Sequence, residues 1–293
     1  METRWLYTTS ENFAALREAS KKTCIIPMGC IEKHGLHLPL GTDILKGSHI
    51  AYMASQLETV TVFPDFTFGD VPCGAHAERP DGTICIDVRF QMDMLETFCE
   101  EIGANGFEKI LVVNSHGGNT SWLAAFTRNL ACKPRNYLFA TYKVPLVAPH
   151  IMAEQILAKG PECMPELTKE DIDLLLKYHE EKMTGGHACM GETAHIMGFA
   201  PESVHLDRLG IESGLKHKCP PLEKFQQAGI NLASNGWHYT SPNWFSGHDP
   251  VGCNERIGKA SLRVAAELTA KAIKVFKDDD FFYPDQMARR INK

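Results

Sequence analysis

The chain has 293 residues, 44% of them apolar and 23% charged, which is enough to bury one large α/β core. Its net charge of −6 counts against a nucleic-acid or anionic-membrane surface, because both call for a basic face. The N-terminal Met1-Glu2-Thr3-Arg4-Trp5 does not lead into a long apolar stretch, and no apolar run elsewhere reaches membrane-spanning length, so neither a signal peptide nor a membrane span is expected.

In chain order, the first predicted strand is the apolar run 24–29, followed by helical spacing over 44–57. Short strands are expected at 61–63 and 84–86, then a helix over 90–105. The run 109–114 is the clearest strand, with β-branched residues packed into a tight apolar stretch. A helix over 121–131, a strand at 137–142 and helices over 169–182 and 255–276 complete the pattern. Strands alternating with helices of this length imply β-α-β units and a mostly parallel, layered sheet. Continuous apolar runs are what strands buried on both faces require. The charged, irregular stretch 145–184 and the Gly-, Pro- and aromatic-rich stretch 210–246 read as excursions on one domain spanning 1–293. Ten cysteines are scattered without a Cys-x-x-Cys pair and read as reduced thiols of a cytoplasmic protein.

Three glycine-flanked clusters carry the chemistry. The first runs from Gly29 to Asp43, directly after the first strand, with Glu32 and His34 two residues apart and so on one side of an extended backbone. The second is Asn114-Ser115-His116-Gly117-Gly118-Asn119, at the C-terminal end of the clearest strand, where open α/β sheets gather their ligands. Asn119 or Thr120 is placed to cap the next helix. The third, Gly185 to Thr193, offers His187 and Glu192. Glu32, His34, Asp43, His116 and Glu192 make a mixed oxygen and nitrogen ligand set suited to zinc, manganese or iron. Structural zinc shells are rich in Cys and His, so a carboxylate-rich set points to an open, catalytic site. His187 is the candidate proton carrier. The remaining histidines at 49, 150, 179, 195, 205, 217 and 238 read as structural.

The stretch from Pro27 to Asp43, the Asn-x-His-Gly-Gly-Asn at 114–119 and the His-x-x-x-x-Glu at 187–192 resemble the creatininase (creatinine amidohydrolase) family. So do Gly69 to Ile86, with His76 and Pro80-Asp81-Gly82-Thr83-Ile84, and the closing segment from Gly247 to Ala260. The resemblance implies a three-layer α/β/α sandwich and a dinuclear centre. It places Glu32 and His116 on one ion, His34 and Glu192 on the other, and Asp43 as the bridge. It also implies two divalent ions, zinc first and manganese or iron as alternatives, and a homohexamer. Two departures count against creatinine itself as substrate. Lys33 stands where the family carries Gln, and Gly118 stands where the creatinine-hydrolysing members carry a carboxylate.

A metal pair of this kind polarises a carbonyl and supplies hydroxide, so the expected reaction is cleavage of a C–N bond in a small polar cyclic amide. Glu192 and His187 are the expected catalytic pair, with His76 and Trp122 lining the substrate pocket. The other readings within the family are a formamide deformylase and a hydrolase that opens an oxidised cyclitol ring by C–C cleavage. A binding module that has lost activity sits badly with an intact ligand set. Phosphoester hydrolysis needs a cationic clamp, and the matched segments before Gly247 offer only Lys33 and Arg79.

Overall fold

The computed structural model describes residues 1–71, 79–183, 185–231 and 236–291. Its centre is a parallel sheet of strands β1 (Thr23–Met28), β2 (Thr61–Val62), β3 (Lys109–Asn114) and β4 (Leu138–Lys143), in the order β2-β1-β3-β4. The helices are α1 (Ser10–Ala19), α2 (Thr42–Leu57), α3 (Val88–Ala104), α4 (Asn119–Ala131), α5 (Pro149–Lys159) and α6 (Lys169–Glu180). They continue with α7 (Met190–Met197), α8 (Pro220–Gln227), α9 (Trp237–Thr240), α10 (Glu255–Lys277) and α11 (Phe282–Ile291).

Every residue of β1 and β3 is buried, and alternate side chains serve opposite layers. Ile25, Leu111 and Val113 pack with Ile50 of α2, Met152 of α5, Leu175 of α6, Ala194 of α7 and Ile257 of α10. Cys24, Ile26, Met28, Ile110 and Val112 pack on the other side with Leu95 and Ile102 of α3 and Phe126 of α4. The result is the expected three-layer α/β/α sandwich. Burying each of these larger aliphatic side chains contributes about 1.5–3 kcal/mol.

Polar ties hold the outer helix in place. Lys109 Nζ donates to the carbonyl oxygens of Lys277 and Asp279 at the end of α10, and Lys277 Nζ donates to Thr59 O. At the other end, Asp171 closes a capping box with Thr168 and accepts from Asn254 and Arg256.

Four expectations are corrected. Residues 84–86 form no strand; Ile84 N donates to Ile31 O, so the run lines the loop after β1 rather than joining the sheet. The stretch 145–184 holds a second helix, α5, as well as α6, and both reach the core. The cysteines are not all reduced thiols: among the described residues eight are free, but Cys85 is disulfide-bonded. Neither Asn119 nor Thr120 caps α4, whose N-cap is Gly118 with no side-chain cap bond. Among the described residues, no helix is long and apolar enough to cross a membrane.

Candidate metal centre

The register of the sheet brings the first two clusters together. Met28 and Asn114 are paired at the ends of β1 and β3, so the loops that follow leave the sheet side by side at its C-terminal edge. A side chain at Gly29 would put its Cβ 2.5 Å from Ile44 N. Only a glycine lets α2 start against the end of β1, and that start places Asp43 in the first turn of α2. Ser115 fastens the junction, its Oγ within 2.8 Å of Met28 O and 2.6 Å of Asp43 O. At Gly118 a Cβ would lie 2.4 Å from His116 Nε2, so glycine there keeps the imidazole in place.

Asp43 Oδ2 is the focus of the cluster. His116 Nδ1 lies 2.7 Å from it, Cys30 Sγ 3.2 Å and His34 Nε2 3.7 Å. Glu32 Oε1 is 3.1 Å from His116 Nδ1, and Glu192 Oε2 is 3.5 Å from His34 Nε2. The third cluster arrives on the loop before α7 and on its first turn, which carries Glu192. Ala188, held at the strained φ of +60°, donates its N–H to Glu192 Oε2 and gives its carbonyl to His37 Nε2. Burial holds the His37 pKa down at about 4, so the ring stays a neutral brace.

The two central imidazoles have fixed roles. His34 Nδ1 is 3.1 Å from Glu32 O, and His116 Nε2 is 2.8 Å from Asp70 O. Each ring therefore donates one N–H to a carbonyl and turns its other nitrogen toward Asp43. This is the arrangement metal-binding histidines adopt, because the outer hydrogen bond selects the tautomer. Two atoms are left over: His34 Nε2 and Glu32 Oε1 are buried with no hydrogen-bond partner, the 3.1 Å approach of Glu32 to His116 lacking hydrogen-bond geometry. Such orphans cost about 1–3 kcal/mol each unless something satisfies them. A divalent cation does so, and the residues present fit one.

Two ligand groups share Asp43: Cys30, Glu32 and His116 on one side, His34 and Glu192 on the other. Burial pulls the His116 pKa down, but Asp43 and Glu32 override it and raise it well above the usual histidine value. Burial likewise opposes ionisation of Asp43 and Glu192. The Lys46 ammonium beside them outweighs it, holding Asp43 well below the ordinary carboxylate range and Glu192 at about 2.

The five expected ligands, Glu32, His34, Asp43, His116 and Glu192, thus converge in one buried cluster. His187 is beside them, stacked on His34 with ring centroids 3.9 Å apart and its Nδ1 3.7 Å from Glu32 Oε1. Trp122 does not line a pocket at this centre. It is 4% exposed, packs in the core under the sheet and donates its indole N–H to Asn119 Oδ1. His76 lies outside the described residues. Sequence reading missed Cys30, the Asp70 carbonyl and above all Lys46, whose Nζ contacts Asp43 Oδ1 at 2.5 Å and also Glu192 Oε1. A lysine on the buried face of α2, one turn after Asp43, was the available signal.

A family model described as creatinine amidohydrolase matches residues 7–273. Among curated proteins, the chain is 32% identical over 104 residues to the 2-amino-5-formylamino-6-ribosylaminopyrimidin-4(3H)-one 5'-monophosphate deformylase of Methanobrevibacter smithii, covering 33% of this chain and 41% of that protein. It is 31% identical over 130 residues to the mycofactocin precursor peptide peptidase of Mycolicibacterium smegmatis, covering 41% of this chain and 50% of that one. The matches therefore span half or less of these curated relatives. Among solved structures, a manganese creatininase superposes with a TM-score of 0.68 at 16% identity over 95% of this chain and 100% of its own. A putative creatinine amidohydrolase from Bacteroides fragilis gives 0.68 at 18% identity, over 96% and 100%. At such identities the likeness is one of fold.

Proposed function

This chain belongs to the creatinine amidohydrolase family, and from that premise we propose that it is a metal-dependent hydrolase cleaving a C–N bond beside a carbonyl in a small polar molecule, a cyclic amide first of all. The observation that carries the reading is the pair of buried, unpartnered ligand atoms, His34 Nε2 and Glu32 Oε1, within a cluster centred on Asp43. Glu32, Asp43 and His116, and likewise His34, Asp43 and Glu192, would hold a divalent metal, which would supply Lewis acidity toward a carbonyl oxygen and make water a nucleophile near neutral pH. Zinc or manganese suits these donors, and iron is the third choice.

The protein's own groups do the rest. His187 Nε2 is anchored 2.7 Å from Lys33 O, which leaves Nδ1 facing the cluster to hold a proton and release it to the departing nitrogen. Trp237 stands edge-on to His187 with ring centroids 5.2 Å apart, and a flat face there favours a compact ring over a long peptide. Glu32, His34 and Asp43 are at most 3% exposed, so bulk water is kept from the reacting atoms and electrostatic effects there are strong.

A formamide is the second reading, favoured by two curated relatives that are deformylases. The homohexamer is carried forward as part of the proposal, on the family resemblance, and light scattering tests it.

Product analysis on zinc- or manganese-loaded protein, over panels of cyclic amides and formamides, tests the function. Release of an amine or amino acid supports C–N cleavage, and formate among the products selects the formamide reading. Metal-dependent ring opening of a carbocyclic ketone, with no new amine, overturns both.

A further inference from the structure

Lys46 is 3% exposed and sits inside a centre built for cations. Its ammonium touches Asp43 Oδ1 at 2.5 Å and also Glu192 Oε1. The other oxygen of each carboxylate faces His34 Nε2, at 3.7 Å for Asp43 Oδ2 and 3.5 Å for Glu192 Oε2. The same two carboxylates therefore serve a built-in cation on one side and the His34–Asp43–Glu192 ion position on the other. The Glu32–Asp43–His116 position is different, because among the described residues Glu32 pairs only with the imidazoles of His116 and His187.

We infer that Lys46 is a resident counter-cation that makes the two ion positions unequal: the Glu32–Asp43–His116 position fills first, and the His34–Asp43–Glu192 position holds its ion more weakly. Glu32, Asp43 and Glu192 bring three negative charges to the cluster. Lys46 and one divalent ion balance them. A second divalent ion enters against an ammonium that cannot leave, since Lys46 is enclosed and clamped by both carboxylates. Like charges a few ångström apart repel strongly where water is excluded. The same contact explains how Asp43 and Glu192 are buried together before metal arrives, because buried carboxylates need a charged partner.

This inference rests on reading the cluster as a metal centre, and stepwise metal uptake separates the two. Chelator-treated protein is titrated with Zn²⁺ by equilibrium dialysis, for the wild type, Lys46→Met and Lys46→Arg. The expected wild-type isotherm has a tight first equivalent and a second equivalent weaker by about tenfold or more, within the usual reach of groups that contact metal ligands. Lys46→Met, similar in volume but uncharged, should narrow that gap by about 10–100-fold, and Lys46→Arg should keep it. Lys46→Gln replaces Lys46→Met if the latter does not fold. Two equivalents of equal affinity in the wild type overturn the inference. So does a weaker second ion in Lys46→Met, which would make Lys46 a group that orients the ligands. No zinc uptake at all overturns the metal-centre reading itself.

Discussion

Asp171 and Asp43 are both buried carboxylates, 3% and 2% exposed, in the first turn of a helix, and each is paired with a cation. Around Asp171 every bond closes. Oδ1 accepts from Asn254 and Arg256, and Oδ2 accepts from the backbone and hydroxyl of Thr168 and from Arg256 Nε. Around Asp43 the bonds stop short. Lys46 holds Oδ1, but the groups gathered at Oδ2 include His34 Nε2, and neither that atom nor nearby Glu32 Oε1 has a hydrogen-bond partner. The Asp171 node is saturated and ties the starts of α6 and α10 together. The Asp43 node is unsaturated in the direction where its neighbours converge. An ion pair alone does not mark a site; unspent ligand atoms aimed at a common point do.

The comparison breaks most easily at Asp43. Asp43→Asn should abolish turnover and lower bound metal, seen by elemental analysis, whereas Asp171→Asn should leave both unchanged. Metal retained in full by Asp43→Asn would make that node structural too. His187→Asn should cost about 10²–10⁴ in kcat while the metal stays bound, the usual size of acid–base assistance; loss of metal would show that His187 is a ligand. Asp171→Asn should lower unfolding stability in urea by about 1–3 kcal/mol, the scale for breaking hydrogen bonds to a charged group. The exposed Arg256 partner, at 51% side-chain exposure, keeps the loss toward the lower end.

The smallest effect is a pH dependence. Burial raises the Asp171 pKa, but Arg256, Thr168 and Asn254 outweigh it and hold the carboxyl well below its usual value. A depressed folded pKa gives stability that is present above the unfolded pKa of about 3.9 and lost as pH falls through the folded value. The gap between wild type and Asp171→Asn should therefore be full at neutral pH and close in strong acid. A gap independent of pH would refute the ionic part of the account.

What could be read in advance followed from local order. β1 and β3 are continuous apolar runs with no competing pattern, and Glu32, His34, Asp43 and His116 sit in the glycine-flanked motifs that follow them. The run at 84–86 is similarly apolar, but its Ile84 N–H bonds to Ile31 O in the loop after β1 and it forms no strand. Trp122 lies in a helix beside the second cluster, yet helical phase turns it into the core with Phe126 and Leu123. α7 was hidden because its eight residues follow a glycine-rich loop and read as part of it. Lys46 was the costliest omission. Its partner Asp43 is one turn away, but Glu192 is 146 positions on, and that contact exists only once α2 and α7 are packed.

The central claim is that the orphaned atoms around Asp43 are metal ligands. Anomalous X-ray diffraction from crystals grown with manganese or zinc tests it directly. The account predicts an anomalous peak within about 2.0–2.3 Å of Asp43 Oδ2, Glu32 Oε1 and His116 Nδ1, the range for zinc with such donors. It predicts a weaker peak beside His34 Nε2 and Glu192 Oε2. A metal-saturated crystal with no peak at Asp43 would contradict it.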